Sequence, residues 1–266
     1  MSEAMPEVMQ QYQSRDFTAP MRNGHSVTHT VYSRGDGPVV VIIQELPGIG
    51  PETLELADHF VASGFSVVLP HLFGPLGRIS MLGNVARVFC LRKEFHLFAK
   101  QASSPIVDWL AALCRDLRSR RNASGVGVIG MCLTGNFAIS LMADDSVLAG
   151  VASQPSLPLN DSRALHMSEE EVSEVRSALD KKGAMMSLRF AEDKICNAAR
   201  FEAIDAAFNT AGEERVRLKT LPGKGHSVLT LDFVNEAGHP TRQALDEVLS
   251  YFRSALRSEP KGETHP

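Results

Sequence analysis

At 266 residues and 44% hydrophobic content, the chain is long enough to bury a substantial core as one α/β domain. A net charge of −4, with no basic stripe interleaved with aromatics, speaks against nucleic-acid binding. No run of about 18 apolar residues occurs, so no membrane span is expected.

The polar stretch Met1 to Arg15 lacks the apolar region of a signal peptide, and residues 1–13 read as a loose arm. Residues 14–257 read as a single domain, and 258–266 as a disordered polar tail. Asp16 to Ala19 and His25 to Ser33 alternate Thr, Val and Tyr with other residues, which predicts two edge strands. Val39 to Ile43 is a continuous apolar run, the pattern of a strand buried on both faces. Further strand-like runs are Gly125 to Ile129, Ala184 to Phe190 and Val216 to Leu221. Helix-like segments alternate with them: Glu52 to Ser63, Pro105 to Arg120, Thr134 to Ala143, Ala198 to Ala211 and Thr241 to Leu256. In the second, Ile106, Leu110, Leu113 and Leu117 share one helical face. Such alternation implies a mostly parallel sheet with helices on both faces.

Two insertions stand out, near residues 72–104 and 158–182. The first is too long for a bare connection and reads as a substrate-facing cover, with a solvated helix as the competing role. The second contains Ser168-Glu169-Glu170-Glu171, a capping-box start for a helix that is either solvated or the edge of a lid.

Cys90, Cys114, Cys132 and Cys196 are scattered without paired spacing, which suits free thiols in a reducing, cytoplasmic compartment. No HExxH, paired CxxC or Walker sequence is present, so neither a metal nor a cofactor is expected. His71, His96 and His166 read as surface or cap residues. Gly125-Val126-Gly127-Val128-Ile129-Gly130 spells G-x-G-x-x-G, but those glycines lie within a strand instead of opening a helix.

One of the cysteines sits in a chemically loaded context. Gly130-Met131-Cys132-Leu133-Thr134-Gly135 joins the strand ending near Ile129 to a helix, the pattern of a nucleophile elbow with sulfur where serine is commoner. The helix start aims free N–H groups and the positive dipole end at the sulfur, favouring thiolate. The competing role for a cysteine at such a junction is that of a small buried hydrophobe. His226, in the loop Leu221 to Ser227, is a candidate base; Asp193, in Phe190 to Lys194, is a candidate orienting acid. Glu192 competes with Asp193, which could instead cap the following helix, and His226 could be an ordinary loop histidine. The order nucleophile, acid, base is that of the α/β-hydrolase fold. All three fall at strand carboxyl ends, where open α/β sheets place ligands. The turn after Ile43 and the residue after the nucleophile supply oxyanion donors in this fold, here the amides of Leu46 and Leu133. Pro47 has no N–H to offer. Each donor is typically worth about 3–4 kcal/mol.

These residues carry a family likeness. Gln44-Glu45 followed by Gly48, then Gly64 to Pro70, the Cys132 elbow, and Gly225-His226-Ser227 together resemble the dienelactone hydrolase family of α/β-hydrolases over residues 37–256. The resemblance implies hydrolysis of small esters or lactones by a Cys132-His226-Asp193 triad, without a cofactor. It also implies that Glu45 contacts the resting thiol and helps move its proton; the competing role is a surface ion pair. Thr134 departs from the family's usual glycine at the elbow, and Pro70-His71 stands where Pro-Asp is common. Thr230 occupies the place, four residues after the histidine, of an arginine that binds the substrate carboxylate in well-known members. Arg78, Arg87 and Arg92 are available to bind an anion, and Phe73, Arg87 and Phe95 are the expected substrate contacts. The alternative from another class is a non-catalytic ligand-binding protein in which Cys132 acts as a redox-sensing thiol.

Overall fold

The computed structural model describes residues 7–20, 25–46, 48–74, 76, 105–156, 163–165 and 167–256. Eight strands form one sheet: β1 (Gln13–Pro20), β2 (Ser26–Arg34), β3 (Val39–Ile43), β4 (Ser66–Pro70), β5 (Val126–Met131), β6 (Val147–Ser153), β7 (Met185–Phe190) and β8 (Val216–Leu221). Their order is β1-β2-β4-β3-β5-β6-β7-β8. The β1–β2 and β2–β4 pairs are antiparallel, and every pair from β4 onward is parallel. Six helices are described: α1 (Pro51–Ala62), α2 (Pro105–Arg121), α3 (Leu133–Leu141), α4 (Glu169–Lys182), α5 (Ala198–Phe208) and α6 (Pro240–Leu256).

The sheet divides the core in two. Side chains alternate faces along a strand, so Val39, Val41 and Ile43 of β3 pack on one side with α2 to α5. Val40 and Ile42 pack on the other with α1 and α6. Helix α6 keeps an apolar stripe, Ala244, Leu245, Val248, Leu249 and Phe252, against the sheet. Helix α4 begins with the expected capping box: the Glu171 amide donates to Ser168 Oγ at 3.1 Å, and Glu171 Oε2 accepts from the Ser168 amide at 2.7 Å. It buries Val172, Val175, Ala178 and Leu179 and exposes its acidic face. The predicted insertion 158–182 is therefore, from residue 169 onward, an amphipathic helix packed on the domain.

Two features differ from the sequence expectations. Residues 7–13 are not a loose arm: Glu7–Met9 forms a 3-10 turn, and Met9 and Tyr12 are buried in the α1/α6 core. The polar residues around them hide this anchoring. Strand β6 carries no strand-like signal, because Ala149, Gly150 and Ala152 have low β propensity. It is nonetheless central and buried. A Cβ at Gly150 would lie 2.6 Å from the Met142 sulfur, so the small residue lets the neighbouring side chain close on the sheet.

Close approach also explains Gly130 in β5. A Cβ there would lie 2.0 Å from the backbone oxygen of Thr134, which cannot step aside. Gly130→Ala is expected to destabilise the fold by about 1–3 kcal/mol or to displace the β5–α3 turn. Thermal unfolding of the variant, with circular dichroism to confirm native content, checks this.

Candidate active site

Winding of the sheet reverses between β3 and β5: β4 lies to one side of β3 and β5 to the other. Connections leaving these strands diverge, and the crevice between them is where open α/β sheets hold ligands. Glu45 lies two residues beyond β3 and Cys132 directly beyond β5. Asp193 and His226 lie three and five residues beyond β7 and β8. The four predicted residues thus gather at one rim.

Cys132 occupies the single residue between β5 and α3, with φ 55 and ψ −122. A non-glycine residue in such a conformation costs roughly 1–3 kcal/mol and persists only where its surroundings fix it. They do so here. The Cys132 amide donates to Ser153 O at 3.0 Å, and its carbonyl accepts from the Gly135 and Ser156 amides, each at 3.1 Å. Thr134 supplies a further tie. Its hydroxyl accepts from the Met131 amide at 2.9 Å and lies 3.1 Å from Ile43 O and 2.9 Å from Met131 O, either of which can take its single proton. The residue that departs from the family pattern therefore binds the end of β3 to the elbow, and the sharp turn forms with it in place.

The described cysteines separate by environment. Cys114 and Cys196 are buried. Burial raises both thiols, that of Cys196 to about 12, so neither is a ready nucleophile. Cys132 is half-buried. Cys90 lies outside the described residues.

His226 Nδ1 and Asp193 Oδ2 are 2.7 Å apart. Asp193 Oδ1 accepts from the amides of Ile195 at 2.8 Å and Cys196 at 3.0 Å, so both carboxylate oxygens are engaged. Burial opposes ionisation of Asp193, but His226 and the two amides outweigh it and hold the carboxyl below its ordinary range. Asn197, and not Asp193, caps α5, accepting from the Arg200 amide at 3.2 Å. Glu192 is exposed and points to no role in the site. The His226 backbone is fixed in turn: its amide and that of Ser227 donate to Asp232 Oδ2 at 2.7 and 2.9 Å.

Burial alone would lower the proton affinity of His226. The Asp193 bond, together with the nearby Cys132 sulfur, reverses this and raises the imidazole to about 10. The far nitrogen, Nε2, is shielded from solvent and has no well-formed hydrogen bond. The Cys132 sulfur lies close enough to the ring to raise its proton affinity.

Glu45 is buried, which removes the surface ion-pair role considered from the sequence. Its Oε1 accepts from the Thr230 hydroxyl. Its Oε2 accepts from Ser227 Oγ at 3.1 Å and Gln154 Nε2 at 3.4 Å. Among the described residues no hydrogen bond joins it to Cys132. Its three donors come from the residue after β6 and from the His226 loop. Burial raises its proton affinity against the pull of these donors and of His226.

Leu46 lies in the turn after β3, and Leu133 is the first residue of α3, where a helix amide lacks an intrahelical partner. Phe73 is half-buried, and its carbonyl accepts from Gln44 Nε2 at 2.5 Å while Gln44 Oε1 accepts from the Leu72 amide at 3.1 Å. Buried Gln44 thus pins the start of the first insertion beside β3. Arg87 and Phe95 lie outside the described residues, as do Arg78 and Arg92. No group of three metal-ligating side chains occurs among the described residues, and no described helix is long and apolar enough to cross a membrane.

Sequence reasoning missed Gln154 and Asp232, and it missed the bonds that Ser227 and Thr230 make to Glu45. Gln154 has φ 36 and links Glu45 to the backbone of the His226 loop through the Val228 amide at 3.4 Å. Ser227, Thr230 and Asp232 share the polar turn after His226, a local density of donors and acceptors that could have marked an organised loop.

The fold recurs in solved structures. A dienelactone hydrolase-like promiscuous phosphotriesterase from metagenomic libraries is 14% identical, with 91% of this chain and 99% of that chain covered and a TM-score of 0.61. A cold-adapted esterase from an Arctic intertidal metagenomic library is 15% identical, with 93% and 96% covered and a TM-score of 0.59. A carboxyl esterase from the mycorrhizal fungus Tuber melanosporum is 13% identical, with 93% and 88% covered and a TM-score of 0.59. At such identity these likenesses establish the fold alone. A search of curated proteins found no match. The model of the dienelactone hydrolase family matches residues 27–256, most of the chain. With the fold and this match together, the chain belongs to the dienelactone hydrolase family of carboxylic ester hydrolases.

Proposed function

We propose that this chain hydrolyses small esters or lactones through an acyl-cysteine intermediate, with Cys132, His226 and Asp193 as its triad. The observation that carries this reading is the 2.7 Å His226–Asp193 bond behind an imidazole whose other nitrogen is sheltered beside the Cys132 sulfur. The Asp193 carboxylate stabilises the charged form of the ring, which favours proton transfer from Cys132 to His226. The thiol proton passes to His226, with buried Glu45 as a second acceptor once one of its three hydrogen bonds is exchanged.

The thiolate attacks the acyl carbon, and the electron pair of the carbonyl moves onto oxygen, where the Leu46 and Leu133 amides receive the charge. Collapse of this intermediate expels the alkoxide, which takes the proton from His226 Nε2. In a lactone the alkoxide stays tethered to the acyl group. A water molecule then gives its proton to neutral His226 and attacks the thioester carbonyl. The carbon–sulfur bond breaks, releasing the carboxylic acid and restoring the pair. Asp193 keeps the ring oriented through both halves.

Rapid mixing with an activated aryl ester is expected to leave one acyl group on the peptide containing Cys132, detected by intact-mass and peptide mapping. Turnover without any acyl group on Cys132 would remove the covalent pathway. A stable sulfenate formed by peroxide, with no acyl transfer from any ester, would point to a redox-sensing role instead.

A further inference from the structure

We infer that Thr230 is a positioning residue for the proposed hydrolysis: together with Ser227 and Gln154 it binds the His226 loop to the buried Glu45 carboxylate, and so holds the imidazole at the Cys132 elbow. This deepens, and rests on, the hydrolase reading above.

The loop needs such a tie. His226 follows β8 at the margin of the sheet, whereas Cys132 follows β5 near its middle, so no direct strand pairing sets the distance between them. Val228 and Leu229 sink into the core shared with α1 and α6, but apolar packing has no direction of its own. Hydrogen bonds supply it. The Thr230 amide donates to Ser227 O at 3.2 Å and closes a turn. Glu45 spans that turn from the β3 side: Oε1 accepts from the Thr230 hydroxyl, and Oε2 accepts from Ser227 Oγ at 3.1 Å. One carboxylate thus grips two hydroxyls three residues apart, with His226 adjoining the first of them.

Gln154 carries the tie on to the elbow. It is fully buried and holds a left-handed φ of 36, which a side chain keeps only where its surroundings fix it. Its amide donates to Leu188 O in β7 at 2.6 Å. Nε2 donates to Glu45 Oε2, and Oε1 accepts from the Val228 amide, both at 3.4 Å. Oε1 also accepts from the Ser153 hydroxyl, and the Ser153 carbonyl receives the Cys132 amide at 3.0 Å. Hydrogen bonds therefore run without a break from the backbone of the nucleophile to the loop of the base. Glu45, Ser227, Thr230 and Gln154 are each no more than 5% exposed. With so little access for water, a donor removed here is not readily replaced, and the loop must shift to satisfy the carboxylate. A displacement of about 1 Å at a reacting group can cost about a hundredfold in rate.

The test uses the full chain with p-nitrophenyl butyrate. Thr230→Val keeps the side-chain shape and removes the hydroxyl, whereas Thr230→Ser keeps the hydroxyl. Thr230→Val is expected to lower kcat by about 10–100-fold with KM changed by less than about threefold, and Thr230→Ser to recover most of the loss. Gln154→Glu sets a second carboxylate against Glu45, whose proton affinity burial already raises and on which His226 acts from the loop. At low pH one proton bridges the two carboxylates; at higher pH both ionise and repel. The ratio of variant to wild-type kcat is therefore expected to fall about tenfold or more from about pH 5 to about pH 8. A simple loss of packing gives no such trend. Wild-type kcat in Thr230→Val that circular dichroism shows to be folded overturns the inference, as does a Thr230→Ser variant no faster than Thr230→Val. Where Thr230→Val does not fold, a ratio for Gln154→Glu that stays flat with pH overturns it. In each of these cases acylation of Cys132 in the wild type leaves the hydrolase reading standing. A wild type that neither turns over the ester nor is acylated by it overturns both.

Discussion

Replacing Cys132 by alanine is expected to lower kcat on an activated ester by about four to six orders of magnitude, the range seen when a triad nucleophile is removed. The oxyanion amides and the imidazole would remain in such a variant, but they have no electron pair to deliver to the acyl carbon. The fold should survive, because the elbow is held by backbone hydrogen bonds from Ser153, Gly135 and Ser156 and by the Thr134 hydroxyl, none of which involves sulfur. Glycine at the same position gives a sharper comparison. It removes both the nucleophile and the cost of holding a side chain at φ 55, so Cys132→Gly should be as inactive as Cys132→Ala yet more stable by about 1 kcal/mol. Steady-state rates and thermal midpoints measured on the three proteins check both parts. Full turnover by Cys132→Ala would end the mechanism.

Asp193→Asn is expected to lower kcat by about 10⁴-fold, as for other triads in which the acid becomes an amide. The amide nitrogen would face His226 Nδ1 and favour the wrong tautomer, while two backbone amides would hold the remaining oxygen as before. Stability should change with a defined pH dependence. His226 is raised from 6.5 to about 10, so its share of the pair's stabilisation is fully present below 6.5 and is lost as pH climbs through about 10. Asp193 is lowered from 3.8, so its share is present above that value and is lost as pH falls through the folded value beneath it. The wild type should therefore exceed Asp193→Asn in stability most clearly between about pH 4 and 6.5, by about 1–3 kcal/mol, and the difference should shrink steadily toward pH 10. Denaturant titrations of both proteins across that range measure it. A difference that grows with alkalinity would contradict the assigned protonation states.

Much of this architecture was legible because local pattern and burial coincide. Val39 to Ile43 reads as a strand because all five side chains are buried, one set on each face. The elbow reads from a strand, a cysteine and a helix in succession. Strand β6 was illegible for the opposite reason: its position in the sheet demands small side chains, and Ala149, Gly150 and Ala152 carry no strand propensity of their own. Asp193 and His226 could be paired from chain order, since the fold brings the ends of β7 and β8 together. The partners of Glu45 could not. Thr230, Ser227 and Gln154 lie 185, 182 and 109 residues away, and no periodicity announces a buried carboxylate held by two hydroxyls and an amide. Thr230 looked like a loss when judged by what other family members carry there, whereas it gives Glu45 one of its hydrogen bonds.

The two proposed reacting groups do not share equal mechanical support. The sulfur rides on β5, clasped by β3 and β6 in the middle of the sheet, while the imidazole follows β8, the outermost strand, bonded to β7 alone. Fraying begins at such margins. Under mild stress the relay would therefore come apart from the outside inward, shedding the imidazole first. What survives is a lone sulfur on a sound platform, no longer an enzyme but still open to alkylation.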